Sequence, residues 1–127
     1  MSDAKNNMDL VHSLAPAVYS TDQDEAGAGA DLLNFYGAVV AFMTGTLTDG
    51  VYAPRVQESD DNSNWTDVAS SDLEGTLSAL SANAVQRVGY KGIKRYIRPV
   101  VNVSSATSGG ALCSVVARAI PHHAPAA

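Results

Sequence analysis

Cysteine and long apolar runs are what this sequence has least of. Its 127 residues include one cysteine, Cys113, which excludes an intrachain disulfide and a cysteine-rich zinc site. Small secreted domains are usually held together by disulfides, so the lone thiol favours folding in a reducing cytosol. The longest apolar runs, such as residues 38–43, are far shorter than the roughly 20 residues that span a bilayer. We therefore expect no membrane partner.

Acidic residues are missing from the second part of the chain. All 13 lie before residue 75, where Lys5 and Arg55 are the only bases, and the other six bases follow. The net charge is −5, and a globally acidic chain is not typical of nucleic-acid-binding proteins, so we expect no nucleic-acid partner. A hydrophobic fraction of 46% and a charged fraction of 17% indicate a globular domain.

Motifs for catalysis are also absent. No serine stands in a Gly-x-Ser-x-Gly turn, and no glycine-rich phosphate loop opens a helix. The carboxylates fall in predicted loops, so no catalytic pair stands out. His122 and His123 lie in a predicted tail far from His12, which does not indicate a metal site of fixed geometry. We expect no enzyme activity, no catalytic residues, no cofactor and no metal.

A β pattern begins at residue 31. Runs rich in β-branched and aromatic residues are separated by turn residues at regular spacing, and we assign strands to 32–47, 51–58, 65–68, 85–90, 94–104 and 111–120, with an ambiguous segment at 70–84. This pattern predicts an all-β fold, an antiparallel β-sandwich or jelly roll of about seven or eight strands. Asp49-Gly50 predicts a tight hairpin between the first two strands.

The chain ends are expected to lie outside this domain. We predict an extended N-terminal arm and flexible loop over residues 1–30, the β-sandwich over 31–120, and a tail over 121–127. Within the arm, the three-residue spacing of Met8, Val11 and Leu14 predicts a short helix.

Alternation assigns faces to two of the later strands. In the segment 94–104, Ile97, Pro99, Val101 and Val103 share one face, which we expect to face the core. Cys113 alternates with apolar neighbours and is predicted to be a buried small hydrophobic residue. Two prolines, Pro54 and Pro99, lack the N–H that a ladder needs and predict free or bulged strand edges.

An acidic turn is the first candidate site. Asp60, Asn62, Asn64 and Asp67 fall near the spacing of a calcium-binding loop, and calcium prefers such oxygen ligands. However, Trp65 stands where that loop requires glycine, and its last position is not Glu. The favoured interpretation is a solvated hairpin turn that ends at a core tryptophan.

A basic cluster is the second candidate site, and it consists of Arg87, Lys91, Lys94, Arg95 and Arg98. One interpretation is a set of outward polar side chains on alternate strand positions. A second is a protein interface, in which these bases meet the acidic part of another copy or of a partner. A third, nucleic-acid binding, has the least support because the domain is acidic.

Two segments carry a resemblance to known proteins. The turn VQESDDNSNWTDV (56–68) and the later strand VGYKGIKRYIRPVVNV (88–103) are similar to motifs in jelly-roll domains of the discoidin and galactose-binding type. Together with the tail from Arg118 to Pro125, they resemble small virion structural proteins of tailed phages and prophages. The resemblance covers residues 31–125, and it departs at Ser63, where a turn glycine is usual, and at Pro99 within the strand.

The resemblance implies a role in a phage particle. It implies a non-enzymatic capsid decoration (cement) protein on the outside of a phage head, with the major capsid protein and further copies of itself, as a dimer or trimer, as partners. Two alternatives remain: a carbohydrate-binding module on a tail or surface, and a head–tail connector or tail protein.

Overall fold

The structure, a computed structural model, describes the backbone of residues 5–121 and the side chains of residues 5–119. Every regular element in this range is a β-strand apart from one 3-10 turn, Ser70–Asp72. The strands are β1 (Met8–Tyr19), β2 (Asp24–Ala26), β3 (Ala30–Asp31), β4 (Phe35–Leu47), β5 (Val51–Ser59), β6 (Thr66–Asp67), β7 (Leu73–Glu74), β8 (Val85–Tyr90), β9 (Tyr96–Ser104) and β10 (Gly110–Pro121).

The ten strands form two antiparallel sheets that pack as a sandwich. The first sheet has the order β1-β10-β4-β8-β7, and the second has the order β2-β9-β5-β6, with β3 also paired to β9. The predicted all-β sandwich is therefore confirmed. No helix among the described residues is long and apolar enough to cross a membrane.

The core lies between the inner faces of the two sheets. Val40, Phe42 and Val116 of the first sheet are fully buried, as are Ile97 and Val101 of the second. The predicted core face of β9 is confirmed, because Ile97, Val101 and Val103 belong to the core cluster, whereas Val100 on the opposite face is buried but lies outside it. Alternation places these side chains on one face, and burying them is the main free-energy gain of folding.

Residues 8–30, within the predicted arm and loop of residues 1–30, instead contribute β1, β2 and the first residue of β3 to the sandwich. The predicted helix over Met8–Leu14 is wrong, because β1 pairs with β10 along its length. The register shifts between His12 and Leu14, so one extra residue lets Val11 and Leu14 both face inward at three-residue spacing. A β-bulge thus produced the helix-like spacing. Of the predicted tail (121–127), residues 122–127 lie outside the described residues.

The predicted hairpin at Asp49-Gly50 is wrong. It joins β4 in the first sheet to β5 in the second, and these strands do not pair. Gly50 has a φ of 95°, which favours glycine. The Asp49 carboxylate accepts hydrogen bonds from the backbone N–H groups of Thr107, Ser108 and Gly109 at 2.9–3.2 Å. The turn therefore ties together the crossover and the β9–β10 loop.

Both prolines lie beside an interruption in strand pairing rather than at a fully free edge. At Pro54, β5 pairs only with β9, since its pairing with β6 is limited to Gln57 and Glu58. Pro99 lies opposite the link between β2 and β3, where no strand needs its missing N–H. The Gly27 N–H instead donates to the Pro99 carbonyl at 2.9 Å, and a Cβ on Gly27 would clash with Ser13.

Candidate interaction surface

One end of the sandwich presents an apolar patch on two loops. The β3–β4 loop (32–34) and the β8–β9 loop (91–95) meet there around a pocket of about 300 Å³. Three large apolar side chains at this pocket are exposed: Ile93 by 95%, Tyr36 by 72% and Leu33 by 54%. We call these three residues the loop patch. Exposed apolar side chains grouped in this way mark contact sites for other molecules.

Hydrogen bonds within the β3–β4 loop fix the position of the patch. The Leu33 N–H donates to Asp31 Oδ1 at 3.0 Å, and the Phe35 N–H donates to the Leu32 carbonyl at 3.1 Å. Asn34 has a φ of 73°, a conformation that asparagine tolerates better than most residues. The Leu32 N–H reaches the Arg95 carbonyl at 2.7 Å, which joins the two loops. The loop is therefore ordered before any partner binds.

Tyr90 holds the second loop in place. Its hydroxyl accepts the Lys94 N–H at 3.1 Å and donates to Glu58 Oε1 at 2.7 Å. Gly92 packs directly against this ring, since a Cβ there would lie 2.4 Å from the hydroxyl. Burial, helped by the bond to Glu58, raises the pKa of the Tyr90 phenol, so the hydroxyl stays protonated and able to donate. With its backbone fixed from below, Ile93 points into solvent.

Arg95 and Asp31 form an ion pair beside the pocket. Arg95 Nε and Nη2 each lie 2.9 Å from a carboxylate oxygen of Asp31. The hydrogen bonds from Arg95 hold the pKa of Asp31 below its usual range. This pair links β3 to the β8–β9 loop, so a base that one of our interpretations assigned to a protein interface has an ion-pair partner within its own chain.

The structure does not gather the predicted basic cluster into one surface. Arg87 points outward from the first sheet, since its neighbour Val88 is buried, whereas Arg98 points outward from the second. Arg98 donates to Gln57 Oε1 at 2.7 and 3.0 Å and stacks over the Trp65 ring at 4.4 Å. Lys94 Nζ lies 2.8 Å from Asp60 Oδ2. Among the described residues, Arg87 and Lys91 make no ion pair.

The acidic turn is a structural turn. Asp61 accepts the backbone N–H groups of Ser63 and Asn64 at 2.9 Å, and these bonds lower the pKa of its carboxyl well below the usual range. Asp60 pairs with Lys94, and Asp67 pairs with Arg55 at 3.2 Å. Within residues 5–121, no group of three or more His, Cys, Asp or Glu side chains could hold a metal ion.

Two smaller expectations about side-chain position are corrected. Trp65 is half-buried under Arg98 and beside Gly29 rather than in the core. Cys113 is also only partly buried, because the core face of β10 carries Leu112, Ser114 and Val116, which alternate with it. His122 and His123 lie outside the described residues.

Sequence reasoning missed the loop patch, although one signal was present. Ile93 stands between Lys91-Gly92 and Lys94 in a predicted turn, where polar residues are usual. A large apolar side chain in such a turn indicates either a buried anchor or a contact residue. Only the packing of Tyr90 beneath the loop decides that Ile93 faces outward.

The comparisons with known proteins establish the fold. No family model matches the sequence, and no curated protein matches it. Among solved structures, PBSX exported protein XepA is similar with a TM-score of 0.62 and 17% identity over 97% of this chain, which spans 40% of XepA. SPBc2 prophage-derived protein YomS is similar with a TM-score of 0.46 and 16% identity, covering 87% of this chain and 94% of YomS.

A carbohydrate-binding module is also similar in structure. The CBM22-1 xylan-binding domain of Paenibacillus barcinonensis Xyn10C matches with a TM-score of 0.42 and 8% identity over 94% of this chain and 85% of that domain. At 17% identity, the likeness to XepA concerns the fold alone. The chain therefore has a β-sandwich fold similar to that of part of PBSX exported protein XepA.

Proposed function

We propose that this chain is a non-enzymatic structural protein of a phage or prophage particle that binds the outside of the capsid as a decoration protein. The observation that carries the binding role is the loop patch, in which Leu33 and Ile93 lie on loops held by hydrogen bonds and Tyr36 lies at the start of β4, all three exposed. A surface that is ordered before contact loses little conformational entropy when a partner binds. The partners are the major capsid protein and further copies of the chain.

The phage context has a separate basis. The motifs in residues 56–68 and 88–103 resemble those of small virion proteins, and a sandwich shared with PBSX exported protein XepA is compatible with that role. The charged groups near the patch serve structural pairs, which supports binding rather than catalysis. In this proposal, the capsid contact buries Leu33, Tyr36 and Ile93 against an apolar surface of the major capsid protein.

Electron microscopy of particles with and without the protein tests this function. We expect density for the protein on the head exterior, lost when the gene is deleted and restored when purified protein is added. The variant Ile93→Asp should fail to restore that density, because it places a charge in the contact. Val51→Asp, an exposed valine at the other end of β5 and β9, is the matched control and should bind normally. Density only on the tail, or absence from particles, would refute the decoration role.

One observation favours a second candidate function, carbohydrate binding. The exposed Tyr36 ring lines the pocket beside Asn34 and Arg95, and sugars bind to aromatic faces flanked by polar groups. A glycan array tests this candidate. We expect a hit to be lost in Tyr36→Ala, whereas an array without hits would remove the candidate.

A further inference from the structure

The outward side of the first sheet is apolar where a solvent-facing sheet normally carries polar side chains. On the two central strands, Val39 lies opposite Ala117 and Ala41 opposite Val115, and all four point away from the core. An antiparallel sheet with one wet face alternates between apolar and polar residues, whereas a sheet covered on both faces is apolar on both. The sequence of β4 and β10 is therefore that of a covered sheet.

The flanking strands continue the same surface. Leu10 on β1 is in register with Ala117 and is 69% exposed, and Val85 on β8 is in register with Met43 and is 61% exposed. We call the outward side of β1, β10, β4 and β8 the apolar face. Among the described residues of these four strands, the basic or acidic side chains on the apolar face are His12 on β1 and Arg87 on β8.

The apolar face is large and flat. Four strands about 4.8 Å apart, each contributing about seven residues at about 3.4 Å, cover a plane of about 450 Å². Its side chains are mostly Ala, Val and Gly, and a Cβ on Gly37 would meet nothing within 4 Å. Two such faces packed together would bury on the order of 1,000 Å², the lower limit for a specific interface. Apolar patches of this size mark interaction sites.

We propose that the apolar face is a self-association surface on which a second copy of this chain packs, sheet against sheet. A flat surface of small side chains matches another such surface at the spacing of about 10 Å that stacked sheets adopt. The area that such a pair would bury is at the lower limit for a specific interface between two copies.

The charges at the border of the face support a partner of the same sequence. Glu74, opposite Gly89, and Arg87 line one shallow groove of about 490 Å³ at this border, and neither makes an ion pair among the described residues. Lys91 lines the adjacent groove. A border that carries both signs is complementary to itself in a two-fold contact, where the same patch meets its own copy. This inference gives a surface to the self-association included in the proposed function, but it does not require a capsid.

Sedimentation of the purified full-length chain tests the proposal without any particle. At about 100 µM we expect a mass of at least twice the 13.2 kDa of one chain. Ala117→Asp places a carboxylate at the centre of the face and should weaken association at least 100-fold. Ala82→Asp, the same change at an exposed loop alanine, is the matched control and should associate like the original chain. Failure here, with normal capsid binding, would refute this surface and leave the decoration role standing.

A second variant covers the case in which Ala117→Asp does not fold. Gly37→Arg adds a charge where the space beside the backbone is open, so its circular dichroism spectrum and melting curve should match those of the original chain. It should also be monomeric. Cys113 reports on the same face, because it lies opposite Met43, and its thiol should react more slowly in the associated chain than in the monomeric variants. A monomeric original chain, or folded variants with unchanged mass, would overturn the proposal.

Discussion

Val101→Asp is the sharpest test of the core. Val101 is 0% exposed in the middle of β9, with Glu25 of β2 on one side and Pro54 of β5 on the other. Losing the buried valine removes about 1.5 kcal/mol of apolar burial. The new carboxyl must also stay neutral at pH 7, roughly three units above its normal pKa, which costs about 4 kcal/mol. The expected loss of about 5–6 kcal/mol approaches the whole stability of a small domain, about 5–15 kcal/mol.

Urea unfolding, followed by circular dichroism and by fluorescence of the single tryptophan, measures this loss. Val101→Ala should lose only about 2 kcal/mol, because it removes apolar atoms without adding a charge. Val51→Asp, at an exposed position, should lose less than about 1 kcal/mol. A Val101→Asp loss of less than about 1 kcal/mol would mean that this face of β9 does not lie in the core.

The pH dependence of Val101→Asp identifies the cause of its loss. A buried carboxyl has a folded-state pKa above its unfolded value, so the folded variant binds the extra proton and becomes relatively more stable as the pH falls. The difference from the original chain should therefore shrink by about 1.4 kcal/mol per pH unit between pH 7 and pH 4. A difference that does not change with pH would indicate disrupted pairing of β9 rather than a buried charge.

Two further predictions concern carboxylates that join distant segments. Asp49→Ala should lower the melting temperature at pH 7, because the 107–109 loop loses its acceptor. Since those N–H donors lower the pKa of Asp49, its contribution is present above about pH 4 and is lost as the pH falls through the lowered pKa, so the two melting curves should converge at acidic pH. Asp9→Ala should cost about 1–3 kcal/mol in urea unfolding, because it leaves the half-buried Arg118 without its ionic partner, whereas Asp67→Ala, which removes an exposed pair, should cost less than about 1 kcal/mol.

The sequence predicted the later strands well because their burial alternates. Residues 85–90 were assigned as a strand with the bounds the structure shows, and β9 and β10 differ from their predicted bounds by two residues or fewer. In β9, the inward residues Ile97, Val101 and Val103 alternate with a set that includes polar side chains, so the core face was visible in the pattern. The residues of that set are Tyr96, Arg98, Val100 and Asn102.

Where both sides of a strand are apolar, alternation gives no direction. Along β10, Val115 and Ala117 point outward while Leu112 and Val116 point inward, and the sequence alone favoured the wrong side for Cys113. The Asp49-Gly50 turn failed for a related reason, since its flanking strands pair with strands that are distant in sequence. Local turn chemistry fixes the backbone conformation but not the sheet that the next strand joins.

Pairing between strands that are distant in sequence also explains why the predicted basic cluster does not form one surface. The bases from Arg87 to Arg98 are close in sequence, but strand alternation and the change of sheet between β8 and β9 send them to different sides of the molecule. Proximity in sequence was therefore a poor guide to a common surface. The loop patch depends on contacts between residues 32–34 and 91–95, which are about 60 positions apart, and no local pattern contains them.

The segregation of charge along the chain is largely resolved within one copy. Asp9, Asp31 and Asp60 from the acidic part pair with Arg118, Arg95 and Lys94 from the basic part. These intrachain ion pairs leave fewer charges to attract another copy than the sequence suggested, so we expect the apolar face to hold the copies together. Exposed charge contacts weaken steeply as the Debye length falls from about 10 Å at 0.1 M salt to about 3 Å at 1 M, whereas apolar contacts do not. Self-association should therefore change little between these salt concentrations, and a steep loss would mean that border charges such as Arg87 and Lys91, rather than the apolar face, hold the copies together.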